Sequence, residues 1–383
     1  MEPGATSQGR IMKIETLAVH AARSIDPGTS AVAAPLHMST TFERSADGSY
    51  AHGFSYSRPD NPTRRALEQC LAQLEGGAEA ICFSSGAAAT MGVFSLLRPG
   101  DHVIGPLACY YGTRQQLRDV VGGWGVTVDL VDTTDLAQIE ARLRPETRLV
   151  WIETPSNPTL GLTDIAGAAR LAHRNGGWLA CDNTFATPIL QRPLALGADF
   201  VMHSSTKYFG GHSDVMGGAL IARARGEAAA RIRSYQAVAG AVPSPFDCWL
   251  IRRSIATLPY RMRAQSANAA RVADFLVRDR RVERVFYPGL AGHPGHALAR
   301  EQMPAFGAMV SVCVRGGAPE AMAVAAKTRI FTRATSLGGV ESLIEHRASV
   351  EGADTPTPQN LLRLSVGLEH ADDLIQDLHQ ALG

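Results

Sequence analysis

Lysine is nearly absent from this sequence of 383 residues. Lys13, Lys207 and Lys327 are its only lysines, and the other 34 of its 37 basic residues are arginines. The 36 acidic residues almost balance them, for a formal net charge of +1. The chain therefore lacks the basic excess of proteins that coat nucleic acids or anionic membranes, and we expect neither as a partner.

Long apolar runs and paired cysteines are also missing. No apolar run approaches the roughly 18 residues that span a bilayer. The first residues lack the apolar stretch of a signal peptide, so we expect a cytoplasmic location. The six cysteines form no C-x-x-C pair and no Cys/His group at zinc spacing, so we expect reduced thiols and no metal site.

Short apolar segments alternate with helical patterns in the first two thirds of the chain. They predict strands at 79–83, 102–105, 126–131, 149–153, 178–182 and 199–203, with helices at 87–97 and 164–174 among the connections. This rhythm predicts an α/β fold with a mostly parallel sheet covered on both faces. A nicotinamide-dependent oxidoreductase could share that fold, but no G-x-G-x-x-G follows any predicted strand.

The pattern changes near residue 245, where a long helical stretch at 246–278 precedes mixed strands and helices, including a strand at 308–314. We therefore predict three parts, in line with the roughly 100 to 200 residues of an ordinary domain. They are an N-terminal tail and arm (1–50), a large domain (51–245) and a smaller C-terminal α/β domain (246–383).

Polar residues follow several predicted strands, where the ligands of such sheets bind. Lys207 lies in the apolar, glycine-rich segment H-S-S-T-K-Y-F-G-G. Desolvation there lowers the pKa of an amine, as a Schiff-base nucleophile requires, although a surface lysine is the commoner alternative. Asp182 ends the strand L-A-C-D and is either a partner for a protonated ring nitrogen or a cap for the next helix.

A phosphate site is the third prediction from these strand ends. Ser204 and Thr206 alternate along the chain, so their hydroxyls can face one anion. Ser84, Ser85 and Gly86 precede a predicted helix whose N-terminus attracts phosphate, although a simple helix cap explains the same residues.

These segments resemble the Cys/Met-metabolism family of pyridoxal phosphate enzymes, which includes cystathionine γ-synthases, cystathionine γ-lyases and methionine γ-lyases. The resemblance rests on D-N-T-F-A-T-P at 182, the lysine segment at 203, Y-S-R-P-D-N-P-T at 56 and R-L-S-V-G-L-E at 363. It extends from about residue 14 to the end. It implies pyridoxal 5'-phosphate as cofactor, an aspartate-aminotransferase-like (fold type I) fold and a homotetramer built as a dimer of dimers.

The resemblance also implies site residues. Lys207 is expected to attach the cofactor, Asp182 to hold its ring nitrogen, and Tyr110 to stack on the ring and relay a proton. The expected phosphate ligands are Ser85, Gly86, Ala87, Ser204 and Thr206, with Tyr56 and Arg58 from the neighbouring subunit. The expected substrate residues are Arg363, Asn157, Ser336, Thr335 and Ser55.

The activity implied for this amino-acid substrate is γ-elimination on a homoserine- or cysteine-derived compound, giving a 2-oxo acid, ammonia and a thiol. The alternative is γ-replacement, as in cystathionine γ-synthases or O-acylhomoserine sulfhydrylases, and an inactive binding module is a remote third. Ser55 and Thr335 replace acidic residues of cystathionine-specific branches, which favours a small or uncharged γ-group.

Further departures from the family pattern bear on the choice of substrate. Gly112 replaces the cysteine of methionine γ-lyases, and Glu351 with Gly352 replaces a Thr-His pair. Arg333 and Arg347 are also unusual, and in a chain so rich in arginine we expect both to be solvated surface residues.

Overall fold

The computed structural model describes residues 12–352 and 355–383, so the first eleven residues of the predicted tail lie outside the described residues. The strands are β1 (Glu79–Phe83), β2 (His102–Pro106), β3 (Thr127–Val131), β4 (Thr147–Glu153), β5 (Trp178–Asp182), β6 (Phe200–His203), β7 (Gly218–Ala222), β8 (Val282–Phe286), β9 (Met309–Val314), β10 (Thr332–Arg333), β11 (Leu343–His346) and β12 (Leu361–Ser365). The helices are α1 (Ile14–His20), α2 (Pro62–Glu75), α3 (Gly86–Phe94), α4 (Tyr111–Gln115), α5 (Leu136–Arg142), α6 (Ile165–Arg174), α7 (Thr187–Leu190), α8 (Glu227–Ala239), α9 (Pro245–Ile255), α10 (Leu258–Arg278), α11 (His296–Gln302), α12 (Ala318–Lys327), α13 (Ala348–Glu351) and α14 (Ala371–Leu382).

The first seven strands form one sheet in the order β1-β7-β6-β5-β4-β2-β3. Strands β2 to β6 pair in parallel with their neighbours, whereas β7 is antiparallel to both β1 and β6. The prediction of a mostly parallel α/β sheet is therefore confirmed. The short return strand β7 was not predicted, because its segment G-A-L-I-A carries no helical connection before it.

Both faces of this sheet are covered. Along β1, Ile81 and Phe83 join an apolar cluster with α3 and α8, while Ala80 and Cys82 join a cluster with α2, α9 and α10. Alternate residues of a strand point to opposite faces, so an uninterrupted apolar strand such as β1 needs helices on both sides. This is the reason that the strand segments are apolar throughout.

The remaining five strands form a second, smaller sheet in the order β10-β11-β12-β9-β8. The predicted helix at 246–278 is two helices, α9 and α10, separated at Ala256 and Thr257. Pro259 is the reason, because proline fits the first turn of a helix but not its interior. The predicted strand at 308–314 is β9, whereas β8, β10, β11 and β12 were not predicted. The three-part division of the chain remains a prediction.

Within the described residues, no helix is both long enough and apolar enough to cross a membrane. The six cysteines are all buried and form no disulfide.

Gly218, the first residue of β7, packs closely against the backbone of the turn between β1 and α3. A Cβ at residue 218 would lie 2.8 Å from the backbone nitrogen of Gly86 and closer still to the carbonyl oxygen of Ser85. Backbone atoms cannot rotate away from such a contact as a flexible side chain can. The end of β1 can approach β7 only because residue 218 has no side chain.

We expect Gly218→Ala to lower the free energy of unfolding by about 1–3 kcal/mol, the usual cost of an overpacked site. Gly123→Ala is the matched control, because a Cβ there meets nothing within 4 Å. Urea unfolding of both variants measures the difference. Equal stability of the two variants would contradict the packing argument.

Candidate active site

One pocket opens where β1, β4, β5 and β6 end. Of the fifteen predicted site residues, twelve line it: Ser85, Gly86, Ala87, Tyr110, Asn157, Asp182, Ser204, Thr206, Lys207, Thr335, Ser336 and Arg363. The first nine of these residues belong to the large sheet and the segments that follow its strands. Thr335 and Ser336 lie in the loop before β11, and Arg363 lies on β12. Residues that are more than 250 positions apart in the sequence are thus brought together by the contact between the two sheets.

Lys207 lies in the turn after β6, and its Nζ donates a hydrogen bond of 2.8 Å to Ser336 Oγ. Burial lowers the pKa of the Lys207 amine to about 8, and the positive charge of Arg363 acts in the same direction. A minor fraction of this amine is therefore unprotonated at neutral pH, and that fraction is far larger than for an ordinary lysine. The alternative of a surface lysine is excluded, because Lys207 lines the pocket.

The N-terminus of α3 faces the same space. Ser85 caps the helix, since its Oγ accepts from the backbone nitrogen of Ala88 at 3.1 Å. A Cβ on Gly86 would lie 2.8 Å from the Cβ of Ser204, so glycine is needed for Ser204 to approach the helix end. Ser85 is thus both a helix cap and part of a group of hydroxyls, completed by Ser204 and Thr206, around a helix N-terminus that attracts anions.

Asp182 ends β5 at the base of the pocket and is buried. Its Oδ1 accepts from the backbone nitrogen and the hydroxyl of Thr184 at 3.0 and 2.6 Å. Burial raises the pKa of Asp182, while the hydrogen bonds from Thr184 oppose that rise. The carboxylate does not cap the next helix, which begins only at Thr187, and a cationic ligand would stabilise its charged form.

Glu153 is a buried site residue for which the sequence analysis predicted no role. It ends β4, and its two oxygens accept from the backbone nitrogens of Tyr110 at 2.9 Å and of Asn157 at 2.7 Å. Burial and the nearby charge of Asp182 raise the pKa of Glu153 well above its ordinary value. Its role is to hold two pocket-lining segments, and the available signal was an acidic residue at the end of an otherwise apolar strand.

Tyr110 precedes α4 and stands beside Tyr111, with 4.9 Å between the ring centroids. Burial raises the pKa of the Tyr110 phenol, so it stays protonated at neutral pH. A Cβ at Gly112 would lie 2.5 Å from Cε1 of Tyr110. The glycine at 112 therefore permits this position of the Tyr110 ring.

Arg363 lies on β12 and is buried. Its Nη1 donates to Asn157 Oδ1 at 3.1 Å, and its Nη2 donates to the carbonyl oxygen of Ser336 at 2.9 Å and to Glu345 Oε2 at 2.7 Å. A guanidinium group has five N–H donors, so two remain for a ligand in the pocket. Burial, aided by the charge of Arg347, lowers the pKa of Arg363 to about 10, and the group remains charged at neutral pH.

The expectation that Arg347 is a solvated surface residue is wrong. Its side chain is 2% exposed, lines the pocket and pairs with Glu345 and Glu351. Burial alone lowers the pKa of Arg347, but these two carboxylates outweigh it and raise the pKa above its ordinary value. Arg333, in contrast, is exposed as expected.

Ser55, Tyr56 and Arg58 do not line this pocket. Tyr56 is 42% exposed, in a segment that a single β-bridge joins to Thr41. Arg58 donates to the carbonyl oxygen of Ala237. In a single copy of the chain, these three residues therefore lie outside the site that the other twelve form.

Comparison with known protein families identifies the family to which this chain belongs. The sequence profile described as "Cys/Met metabolism PLP-dependent enzyme" matches residues 15–383. The chain belongs to this family. It is therefore a pyridoxal phosphate-dependent enzyme, and the resemblance inferred from the sequence is confirmed.

Individual relatives carry the names of several family activities. A cystathionine γ-synthase of Mycobacterium tuberculosis is 49% identical over 96% of both chains. A cystathionine γ-lyase of Dictyostelium discoideum is 42% identical over 97% of both chains. The crystal structure of metB from Corynebacterium glutamicum has a TM-score of 0.94 and 41% identity, covering 97% of this chain and 98% of that one.

The pocket fits the family's cofactor. The hydroxyl group cluster at the N-terminus of α3 suits a phosphate, the buried Asp182 suits a protonated ring nitrogen, and the amine of Lys207 suits an aldehyde. Gly86 leaves the space beside Ser204 in which the phosphate can approach the backbone.

We expect Lys207 to be acylated by a small amine reagent with a half-point near pH 8, because burial lowers its pKa to about 8 and only the unprotonated amine reacts. Peptide mapping of the cofactor-free protein over a pH series gives the extent of reaction. Lys13 and Lys327, both exposed, are internal references in the same digest. A half-point for Lys207 no lower than theirs would refute the assigned environment.

Proposed function

We propose that this enzyme acts at the γ-carbon of a homoserine-derived amino acid, with γ-replacement by a thiol as the first candidate and γ-elimination as the second. The observation that carries the reaction class is the meeting of Lys207, Asp182 and Arg363 in one pocket of a Cys/Met-metabolism enzyme. The choice of the γ-carbon rests on relatives that are named cystathionine γ-synthase and cystathionine γ-lyase. The sequence alone ranked γ-elimination first. Relatives at 49% identity are named cystathionine γ-synthase, whereas those at 40–43% are named lyases, and this favours replacement.

In this proposal Lys207 attaches the cofactor and then moves protons. Pyridoxal phosphate, when bound, supplies an electron sink that makes loss of the Cα proton of an amino acid easier. An amine with a pKa of about 8 is well suited to accept that proton near neutral pH. Ser336 Oγ, 2.8 Å from Nζ, orients the amine once it is released from the cofactor.

Arg363 binds the α-carboxylate of the substrate. Nε and Nη1 of Arg363 each keep one N–H donor without a protein partner among the described residues, and these donors can bind a carboxylate. Asn157 Oδ1 and the carbonyl oxygen of Ser336 hold the guanidinium from the other side. The protonated phenol of Tyr110 can donate a proton to the leaving γ-group.

The assembly proposed is a homotetramer built from dimers. Tyr56 and Arg58 lie outside the pocket of their own chain, and Tyr56 is 42% exposed. A second copy that places these two residues over the phosphate site would complete it. Ser55 would then approach the substrate from the same side.

We expect Lys207→Ala to abolish borohydride-stable attachment of the cofactor and to lower turnover at least about 1000-fold, because both covalent attachment and proton transfer are lost. The exposed Lys327→Ala is the matched control and should retain both. Full activity of Lys207→Ala would overturn the proposal.

Product analysis decides between the two candidate reactions. Holoenzyme is incubated with O-acyl-L-homoserine, with and without L-cysteine, and 2-oxobutanoate, ammonia and thioether are measured. We expect thioether formation that depends on cysteine. Oxo-acid and ammonia at the same rate with and without the thiol would instead establish γ-elimination.

Subunit complementation tests the shared site. We expect Lys207→Ala and Arg58→Ala homo-oligomers to be weakly active or inactive, and a co-refolded equal mixture to regain about a quarter of wild-type activity. Half of the randomly formed dimers are mixed, and each mixed dimer has one site with both residues. No regain of activity in a mixture shown by sedimentation to contain dimers would mean that Arg58 serves its own chain.

A further inference from the structure

The pocket contains a second arginine besides Arg363. Arg347 follows β11, and its Nη1 donates to Glu345 Oε2 at 2.7 Å. Its Nε and Nη2 donate to Glu351 Oε1 at 3.2 and 2.9 Å. These bonds use three of the five N–H donors of a guanidinium group, so within residues 12–352 and 355–383 two donors have no protein partner.

The two carboxylates that hold Arg347 are shared with other cations. Glu345 Oε2 also accepts from Arg363 at 2.7 Å, and Glu351 Oε2 lies 3.7 Å from Nη2 of Arg114. Three guanidinium groups therefore face two carboxylates, and the group has an excess of one positive charge. Glu351 also accepts from the hydroxyls of Thr355 and Thr357, which fixes its position.

The charges that line the pocket on the substrate side are positive. Glu153 and Asp182 are the lining carboxylates, and both accept hydrogen bonds from protein groups at the cofactor end. Thr335 also lines the pocket and carries no charge. A carboxylate on the γ-substituent can therefore meet Arg347, whereas an ammonium group there meets no carboxylate among the lining residues described.

We propose that Arg347 is a second carboxylate-binding residue, specific for a carboxylate carried beyond the γ-carbon of the substrate. Arg363 takes the α-carboxylate, and Arg347 takes the second one. That second carboxylate belongs either to the leaving group of the donor or to the incoming thiol. Glu351 is a positioning residue that holds Arg347 against the pocket wall. The inference rests on the proposed reaction at the γ-carbon.

Two isosteric pairs of substrates separate the two sources. The donor pair is O-succinyl-L-homoserine and its terminal amide, each with L-cysteine. The thiol pair is L-cysteine and L-cysteinamide, each with O-acetyl-L-homoserine. We expect kcat/KM to favour the carboxylate member of one pair by about 10- to 100-fold, as expected when a buried donor loses its charged acceptor.

Arg347→Met should lower that preference to less than about threefold, because the amide and the carboxylate then meet the same apolar side chain. Arg347→Met with Glu351→Gln removes one charge of each sign and should give the same loss if the single variant folds poorly. Arg347→Lys keeps the charge and should retain part of the preference. Arg333→Met is the matched control, since Arg333 is exposed and outside the lining, and should leave the preference unchanged.

A binding measurement keeps this test separate from that of the reaction. Calorimetry with the holoenzyme compares L-2-aminopimelate, which has a distal carboxylate and no leaving group, with L-norleucine. If L-2-aminopimelate binds more tightly than L-norleucine and Arg347→Met loses this difference, the inference is supported. Absence of turnover with every donor would overturn the proposed reaction but not this inference. Equal preference of the wild type and Arg347→Met in both substrate pairs and in calorimetry would overturn the inference.

Discussion

The loop before β11 packs directly against the backbone at the end of β6, and the site depends on this contact. A Cβ on Gly338 would lie 2.8 Å from the backbone nitrogen of Tyr208, and the glycine has a φ of +79° that side-chain-bearing residues rarely adopt. Its nitrogen donates to Ser365 Oγ at 2.8 Å on β12. The approach sets Ser336 between Lys207 and Arg363, where its hydroxyl accepts from one and its carbonyl oxygen from the other.

The two buried cations that Ser336 contacts differ in their protonation. Burial lowers the pKa of both Lys207 and Arg363, to about 8 and about 10. Because the ordinary value of arginine is higher, Arg363 stays charged at neutral pH and can bind a carboxylate. Lys207 reaches a range in which both protonation states are populated. The same buried environment thus leaves Arg363 as a permanently charged, anion-binding group and Lys207 as a group that can transfer protons.

Glu345 and Glu351 compensate the charges of the buried arginines Arg347 and Arg363. Removing one partner of a buried ion pair typically costs about 3–5 kcal/mol, because the other charge is left uncompensated. Glu345 faces Arg363 across the β11–β12 pair and also binds Arg347. Sheet register therefore determines which charges meet. Arg347 and Arg363 are held at the same carboxylate oxygen, so the position of one constrains that of the other.

The sequence by itself determined the parts of this protein that depend on neighbours in the chain. Short apolar segments predicted the strands β1 and β5 to the residue, and the S-S-G turn predicted the start of α3 to within one residue. The motifs around Asp182 and Lys207 indicated the family and its cofactor. Only the tertiary structure decided which distant residues join them. Arg347, Glu345 and Glu351 look like surface charges in a chain with 34 arginines, and their burial depends on pairing across strands and on a loop contact. Such contacts are made by residues far apart in sequence, and no local periodicity or propensity encodes them.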